Sequence, residues 1–173
     1  MVYHGRFPRQ ISLIAKLRLL GPPSSLVIFL LPNMRKVTME LLNPIFILVL
    51  LTFIVGFSLG ISRFISVKKG HLDRRYFQLM SGYTPPSYSK KLERNFSNLL
   101  ELPLLFYMLA ILCAVLNINS PLLITLAWLF VSLRIIHSAI HVSYNFPWHR
   151  FYAFLASTLV LLAMWIELFL LSR

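Results

Sequence analysis

Three polar side chains, Arg94, Asn98 and Glu101, stand four and three residues apart in the stretch LERNFSNLLELP, residues 92–103. On a helix those spacings bring all three to one face. A second set, Arg134, His137 and His141, repeats the three- and four-residue spacing inside a later apolar run. A guanidinium, a carboxylate, an amide and two imidazoles can bind charges, pass protons and orient a polar ligand. Both sets lie in segments whose other residues are almost all apolar, and an ionisable group at mid-bilayer costs about 2.5–3.5 kcal/mol on insertion scales. These faces must therefore look into protein or into a polar cavity. The reading adopted is that they face each other and form one site, with Glu101 and Arg134 neutralising each other between helices. One ion pair would suffice to join two helices. Arg94, Asn98, His137, His141 and Arg150 add further polar groups with surplus positive charge, and that surplus points to an anionic ligand.

Those segments are long enough to need a membrane. Of 173 residues, 58% are hydrophobic and 13% charged, and several apolar runs reach about 20 residues, the length that spans a bilayer as a helix. A soluble domain would carry more charge and a clearer alternation of polar and apolar positions. The expected fold is all-α, an integral membrane four-helix bundle running up-down-up-down, with spans at about 41–64, 97–116, 121–142 and 148–171. Pro44 falls in the first turn of the first span and Pro121 opens the third, positions where a missing N–H costs little. Gly56 and Gly60 form a small-xxx-small pair suited to close helix contact in lipid. Ser89 is a candidate cap for the second helix. The net charge of +12 does not indicate nucleic acid, because the basic residues flank apolar spans. The one cysteine, Cys113, lies within a span and reads as packing.

Basic residues also set orientation. The connections after spans one and three hold Arg63, Lys68, Lys69, Arg74, Arg75, Lys90, Lys91, Arg94 and Arg150, so that side is expected to be cytoplasmic and to touch anionic headgroups. Residues 1–38 are a separate basic segment without a single acid. Its apolar run Leu26–Leu31 is too short to span, and its charge opposes the orientation. It is expected to be disordered or absent from a native chain starting near Met39, with the four-helix domain occupying residues 39–173.

Other chemistries are weaker. His137 and His141, with His149 as a third ligand, have metal-compatible spacing, but five histidines in all are too few for a membrane di-iron site, and no metal is expected. The aromatic cluster Tyr144, Phe146, Trp148, Phe151, Tyr152 and Phe154 reads as an interfacial belt, some of whose rings can line a ligand entrance. Glu167 is placed near the opposite interface, outside any site. No nucleotide-binding glycine motif and no Ser-His-Asp arrangement is present. A small transporter is disfavoured because the charges crowd one side of the bilayer.

The run Arg94-x-x-x-Asn98-x-x-Glu101-x-Pro103 resembles the second-helix signature of the MAPEG proteins, the membrane-associated proteins in eicosanoid and glutathione metabolism. Arg134-x-x-His137-x-x-x-His141, followed by Arg150, resembles the third helix and the start of the fourth. The resemblance spans roughly Leu41 to Leu171. It implies a homotrimer, with glutathione as co-substrate bound between subunits near the cytoplasmic side, in a bacterial inner membrane or endoplasmic reticulum. It also implies a glutathione site built from Arg63, Arg94, Asn98, Glu101, Arg134, His137 and His141. Arginines would take the tripeptide's two carboxylates and Glu101 its ammonium. Arg150 would lower the thiol pKa and be the catalytic group. The implied activity is glutathione transfer to a lipophilic electrophile or reduction of a lipid peroxide. The sequence departs from the family's prostaglandin synthase, which has tyrosines where His141 and Phe154 stand and a hydroxyl-bearing arrangement near Phe151. Tyr144, Tyr152 or His141 would have to substitute. The alternative is a non-catalytic relative that keeps the fold and not the transferase activity.

Overall fold

The computed structural model describes the backbone of residues 23–173 and the side chains of residues 40–173. Most of what was expected of residues 1–38 therefore lies outside the described residues. The elements are α1 (Pro23–Lys68), α2 (Tyr76–Leu79), α3 (Ser87–Leu116), α4 (Pro121–Val142) and α5 (Pro147–Leu171). Among the described residues, four segments have the length and hydropathy to cross a membrane: Glu40–Lys68, Ser87–Leu116, Pro121–Val142 and Pro147–Leu171. Leu42, Phe46, Phe53, Phe57, Leu104, Ile111, Trp148, Leu159 and Phe169 point outward, as lipid-facing side chains do. The interior of Val37–Arg173 is a smaller apolar set, including Leu48, Leu99, Phe106, Leu109, Leu123, Phe130 and Met164. At its centre the Phe106 and Phe130 rings of α3 and α4 lie 4.9 Å apart.

Helix ends follow from local chemistry. Past α1, Gly70 takes φ +69°, the left-handed conformation that ends a helix at little cost only for glycine. The chain then folds back, with the His71 N–H donating to the Ser66 carbonyl at 2.9 Å. Asn117 closes α3 in the same way at φ +54°, and the Ile118 N–H reaches the Cys113 carbonyl at 3.0 Å. Pro121 opens α4 and Pro147 opens α5, each in the first turn.

Some local expectations need correction. Pro44 is buried inside the long α1 helix and not in a first turn; α1 begins well before the apolar span. The α3 helix starts at Ser87, ten residues before its apolar part, so Ser89 does not cap it. Ser89 is buried, and its Oγ lies 3.3 Å from that of Ser62 on α1. One turn on, Ser66 Oγ and Tyr88 Oη are 2.8 Å apart. Polar contacts of this kind join helices in membranes at roughly 0.6–2 kcal/mol each. Gly56 accepts the Phe96 ring of α3 so closely that an added Cβ would stand 3.0 Å from Phe96 Cε2, whereas Gly60 has nothing within 4 Å. Half of the small-residue pair therefore serves helix contact within the subunit.

At the far end, the Ser120 hydroxyl donates to Glu167 Oε1 at 3.1 Å. That bond ties the α3–α4 turn to α5 and gives Glu167 a structural place. Most of the other charged groups among the described residues gather at the opposite end.

Candidate functional site

Between α3, α4 and the start of α5 lies a cavity of about 430 Å³ lined by Glu93, Arg94, Ser97, Asn98, Glu101, His137, His141, Pro147, Arg150, Phe151 and Phe154. Its size falls within the usual range for small-ligand sites. Six of the eight residues singled out in the sequence, Arg94, Asn98, Glu101, His137, His141 and Arg150, share this wall. A smaller cavity of about 180 Å³ adjoins it through Arg94 and His141 and adds Lys90, Lys91 and Asn145.

Arg134 lies behind the wall, 0% exposed. Its Nη2 donates to the Asn98 backbone carbonyl at 2.7 Å, and its Cζ is 5.9 Å from the centre of the Phe154 ring. Its Nε and Nη1 have no hydrogen-bond partner. The expected Glu101–Arg134 pair is not formed within the subunit. Among the described residues the ion pair within 4.0 Å is Arg63–Glu93, and Glu101 is exposed on the open side of α3. The spacing placed both side chains on facing helices, but Arg134 is turned to the α3 backbone, one turn before Pro103. Pro103 has no N–H to donate to the Leu99 carbonyl.

The histidines are held by the turn that follows them. Asn145 has φ +54°, and its N–H reaches the Ile140 carbonyl at 2.9 Å. That reversal returns α5 beside α4, where Arg150 Nη1 donates to Asn145 Oδ1 at 2.8 Å and lies 3.5 Å from His141 Nε2. His137 Nδ1 is 3.1 Å from the Arg150 carbonyl. A carbonyl only accepts, so this bond assigns the proton of a neutral His137 to Nδ1 and leaves an unpartnered acceptor at Nε2. His137 thereby fixes the start of α5. His149 Nδ1 is 3.1 Å from Tyr144 Oη, and no group of three metal-compatible side chains occurs among the described residues.

Arg63 stands apart. Its Nη2 donates to Glu93 Oε1 at 3.0 Å, and it lines a different cavity with Phe64, Val67, Lys68, Arg74 and Phe77. Glu93 lines the main cavity, so it separates Arg63 from that space. Of the three candidate substitutes for the missing hydroxyls, His141 lies on the wall. Tyr144 is engaged with His149, and Tyr152 is exposed, stacked on Trp148 with ring centres 6.2 Å apart.

Three groups escaped the sequence reading. Glu93 and Ser97 line the cavity four residues apart, a spacing as legible as that of Arg94 and Asn98. Asn95 is 0% exposed and donates through Nδ2 to Ser138 Oγ at 2.7 Å. It locks α3 against α4 one turn from Arg134, and its position on the apolar face of LERNFSNLLELP could have revealed it.

Four membrane-length helices among the described residues, with most of their ionisable groups toward one end, define a multi-pass integral membrane protein. The model of the MAPEG family matches residues 41–170, and the chain belongs to this family of four-helix membrane proteins of glutathione and eicosanoid metabolism. No curated protein and no solved structure matches the chain.

Proposed function

We propose that the chain binds glutathione in the cavity between α3, α4 and α5 and transfers it to hydrophobic electrophiles or uses it to reduce lipid peroxides. The observation that carries this reading is the fully buried Arg134 with two unpartnered nitrogens, set behind a wall bearing Arg94, Arg150, Glu93 and Glu101. A buried guanidinium with no ion pair within 4.0 Å among the described residues is costly, and a ligand carboxylate reaching this wall would offset that cost. Arg94 and Arg150 suit the tripeptide's carboxylates, and Glu101, with no ion pair within 4.0 Å among the described residues, suits its ammonium. Asn98, with its Nδ2 given to the Arg94 carbonyl at 2.8 Å, retains its amide oxygen for the ligand. His141 and the acceptor nitrogen of His137 complete the wall.

Catalysis requires the thiolate. Arg150, oriented by Asn145, is the cation assigned to stabilise it, since a nearby positive charge lowers a thiol pKa. Ser97 supplies a hydroxyl on the same wall. A homotrimer would close the cavity with a neighbouring subunit. Arg63 would contribute only across such a boundary. The basic end is assigned to the cytoplasmic side. A non-catalytic relative is the second reading, favoured by Phe151 and Phe154 on the cavity wall.

The test is calorimetric binding of glutathione to the detergent-purified protein, with Glu101→Gln and Arg134→Ala. Saturable binding lost in both variants is expected; undiminished binding in either removes that residue from the site. A conjugation assay with a generic electrophile separates enzyme from binder. Arg150→Ala is expected to lower kcat by about 100-fold, in line with the loss of one charge-stabilising donor, and full activity would refute the thiolate assignment.

A further inference from the structure

The second basic cavity, of about 770 Å³, is lined by Arg63, Phe64, Val67, Lys68, Arg74 and Phe77. It is built by the turn after α1. Gly70 reverses the chain, Asp73 Oδ1 accepts the Arg75 N–H at 2.8 Å, and the buried side chains of Leu72 and Tyr76 hold the segment against the bundle. The three N–H to carbonyl bonds from Tyr76, Phe77 and Gln78 back to Asp73, Arg74 and Arg75, each 3.1 Å, then form α2. Phe77 thereby lies under the Arg63 guanidinium at 5.8 Å. The fold fixes this cavity, and it is not a loose stretch of loop.

Its charge is only partly compensated. The whole chain has five acids. Glu93 is committed to Arg63, Asp73 to the α2 turn, Glu167 to Ser120 at the other end and Glu101 to the main cavity's wall, while Glu40 begins the span that Lys68 ends. Lys68 and Arg74 thus face the cavity with no ion pair within 4.0 Å among the described residues.

Below the cavity runs an apolar track. Phe46, Phe53, Phe57 and Phe64 fall within about 40° of one another on a helix, and all four are exposed. Phe53 and Phe57 also line an apolar groove of about 590 Å³ between α1 and α3, with Val49, Phe96, Leu100, Leu104 and Tyr107. From Phe64 to Phe53 the rise is about 16 Å, most of the length of an acyl chain. Cations at the membrane surface, continuous with an aromatic track toward mid-bilayer, match one ligand chemistry: an anionic headgroup joined to an acyl chain.

We propose that this face of α1 binds an anionic phospholipid of the surrounding bilayer. The headgroup phosphate lies between Lys68 and Arg74, and an acyl chain lies along Phe64 and Phe57 into the α1–α3 groove. The site is separate from the proposed glutathione cavity, and neither Lys68 nor Arg74 lines that cavity.

Native mass spectrometry of the full chain in mild detergent tests this. The probes are phosphatidylglycerol, phosphatidylcholine of the same chains, and inorganic phosphate. Saturable phosphatidylglycerol binding is expected, with phosphatidylcholine clearly weaker and no competition from inorganic phosphate. The pair Lys68→Ala with Arg74→Ala is expected to weaken phosphatidylglycerol binding about 30-fold, each cation contributing about fivefold near an anionic headgroup. Arg75→Ala with Lys90→Ala removes equal charge from the same end outside this cavity and is expected to weaken it by less than about threefold. Should the first pair fail to fold, Lys68→Ala alone carries the same comparison. Equal losses from both pairs would reduce the effect to general surface charge and overturn the site. Equal binding of the two lipids, or competition by inorganic phosphate, would overturn it too.

Discussion

Replacing Arg134 by methionine separates stability from binding. The guanidinium is fully buried, so two unpartnered groups, Nε and Nη1, each carry a desolvation cost of about 1–3 kcal/mol. Against this stand one charge-assisted bond to the Asn98 carbonyl, 2.7 Å, worth about 1.5–3 kcal/mol, and the Phe154 contact at 5.9 Å, worth about 0.5–2 kcal/mol when desolvated. The opposing terms are of similar size. A methionine of comparable length removes both and fills much of the space. Arg134→Met is therefore expected to leave ligand-free stability within about 2 kcal/mol of the parent, with a gain more in keeping than a loss, because buried charges replaced by apolar groups often stabilise by about 1–4 kcal/mol.

Binding should behave differently. Saturating glutathione at 100 times its Kd stabilises a binding-competent protein by about 2.7 kcal/mol, which for a chain of this length shifts Tm by roughly 5–10 °C. In Arg134→Met that shift is expected to vanish. The assay is thermal unfolding in detergent with and without glutathione, on parent and variant. A ligand-free loss above about 3 kcal/mol, with the glutathione shift retained, would refute the reasoning. Arg134 would then be a structural clamp, and the unpartnered nitrogens would say nothing about a ligand.

Gly56→Ala places a Cβ 3.0 Å from Phe96 Cε2 and is expected to destabilise the subunit by about 1–3 kcal/mol through overpacking. Gly60→Ala meets nothing within 4 Å and should leave unfolding within about 0.5 kcal/mol; equal effects in denaturant unfolding would contradict the observed α1–α3 contact. The Arg63–Glu93 pair is about one-third exposed on each side, so a double-mutant cycle should give a coupling below about 1 kcal/mol. A coupling of several kcal/mol would mean that the pair is far more desolvated than its exposure indicates.

The four spans were legible because lipid forces a continuous apolar run, and such runs are visible in residue types alone. The positions of Arg94, Asn98, Glu101, His137, His141 and Arg150 were legible for a related reason. Helical spacing reveals which residues share a face, and an isolated polar face in an apolar helix has few places to go. Spacing does not reveal how far each helix is rotated or where a backbone carbonyl will intercept a side chain. Hence Glu101 and Arg134 read as a pair, although Arg134 is turned to the Asn98 carbonyl and Glu101 stands on the cavity wall, outside ion-pair distance. Arg63 entered the site through the family resemblance alone, and spacing could not show that within the subunit its Nη2 donates to Glu93.

Phe154 shows why binding and catalysis have to be weighed separately. Its ring lies 5.9 Å from the Arg134 guanidinium carbon and 5.9 Å from the His137 ring centre, while His137 Nδ1 reaches back to the Arg150 carbonyl at 3.1 Å. The phenyl face thus packs beside the buried cation and the imidazole, and an aromatic face attracts a cation without needing an acid. A tyrosine at this position would keep that face and add a hydroxyl. What the phenylalanine removes is a proton donor, and what it keeps is the packing that positions Arg134 and His137. The same division applies to Phe151, which closes the cavity without contributing a polar group. Charge recognition can survive both residues, because Arg94, Arg150, Arg134, Glu93 and Glu101 do not depend on a hydroxyl. In the function proposed above, thiolate stabilisation falls to Arg150, the wall guanidinium held by a neighbouring side chain, Asn145, at 2.8 Å.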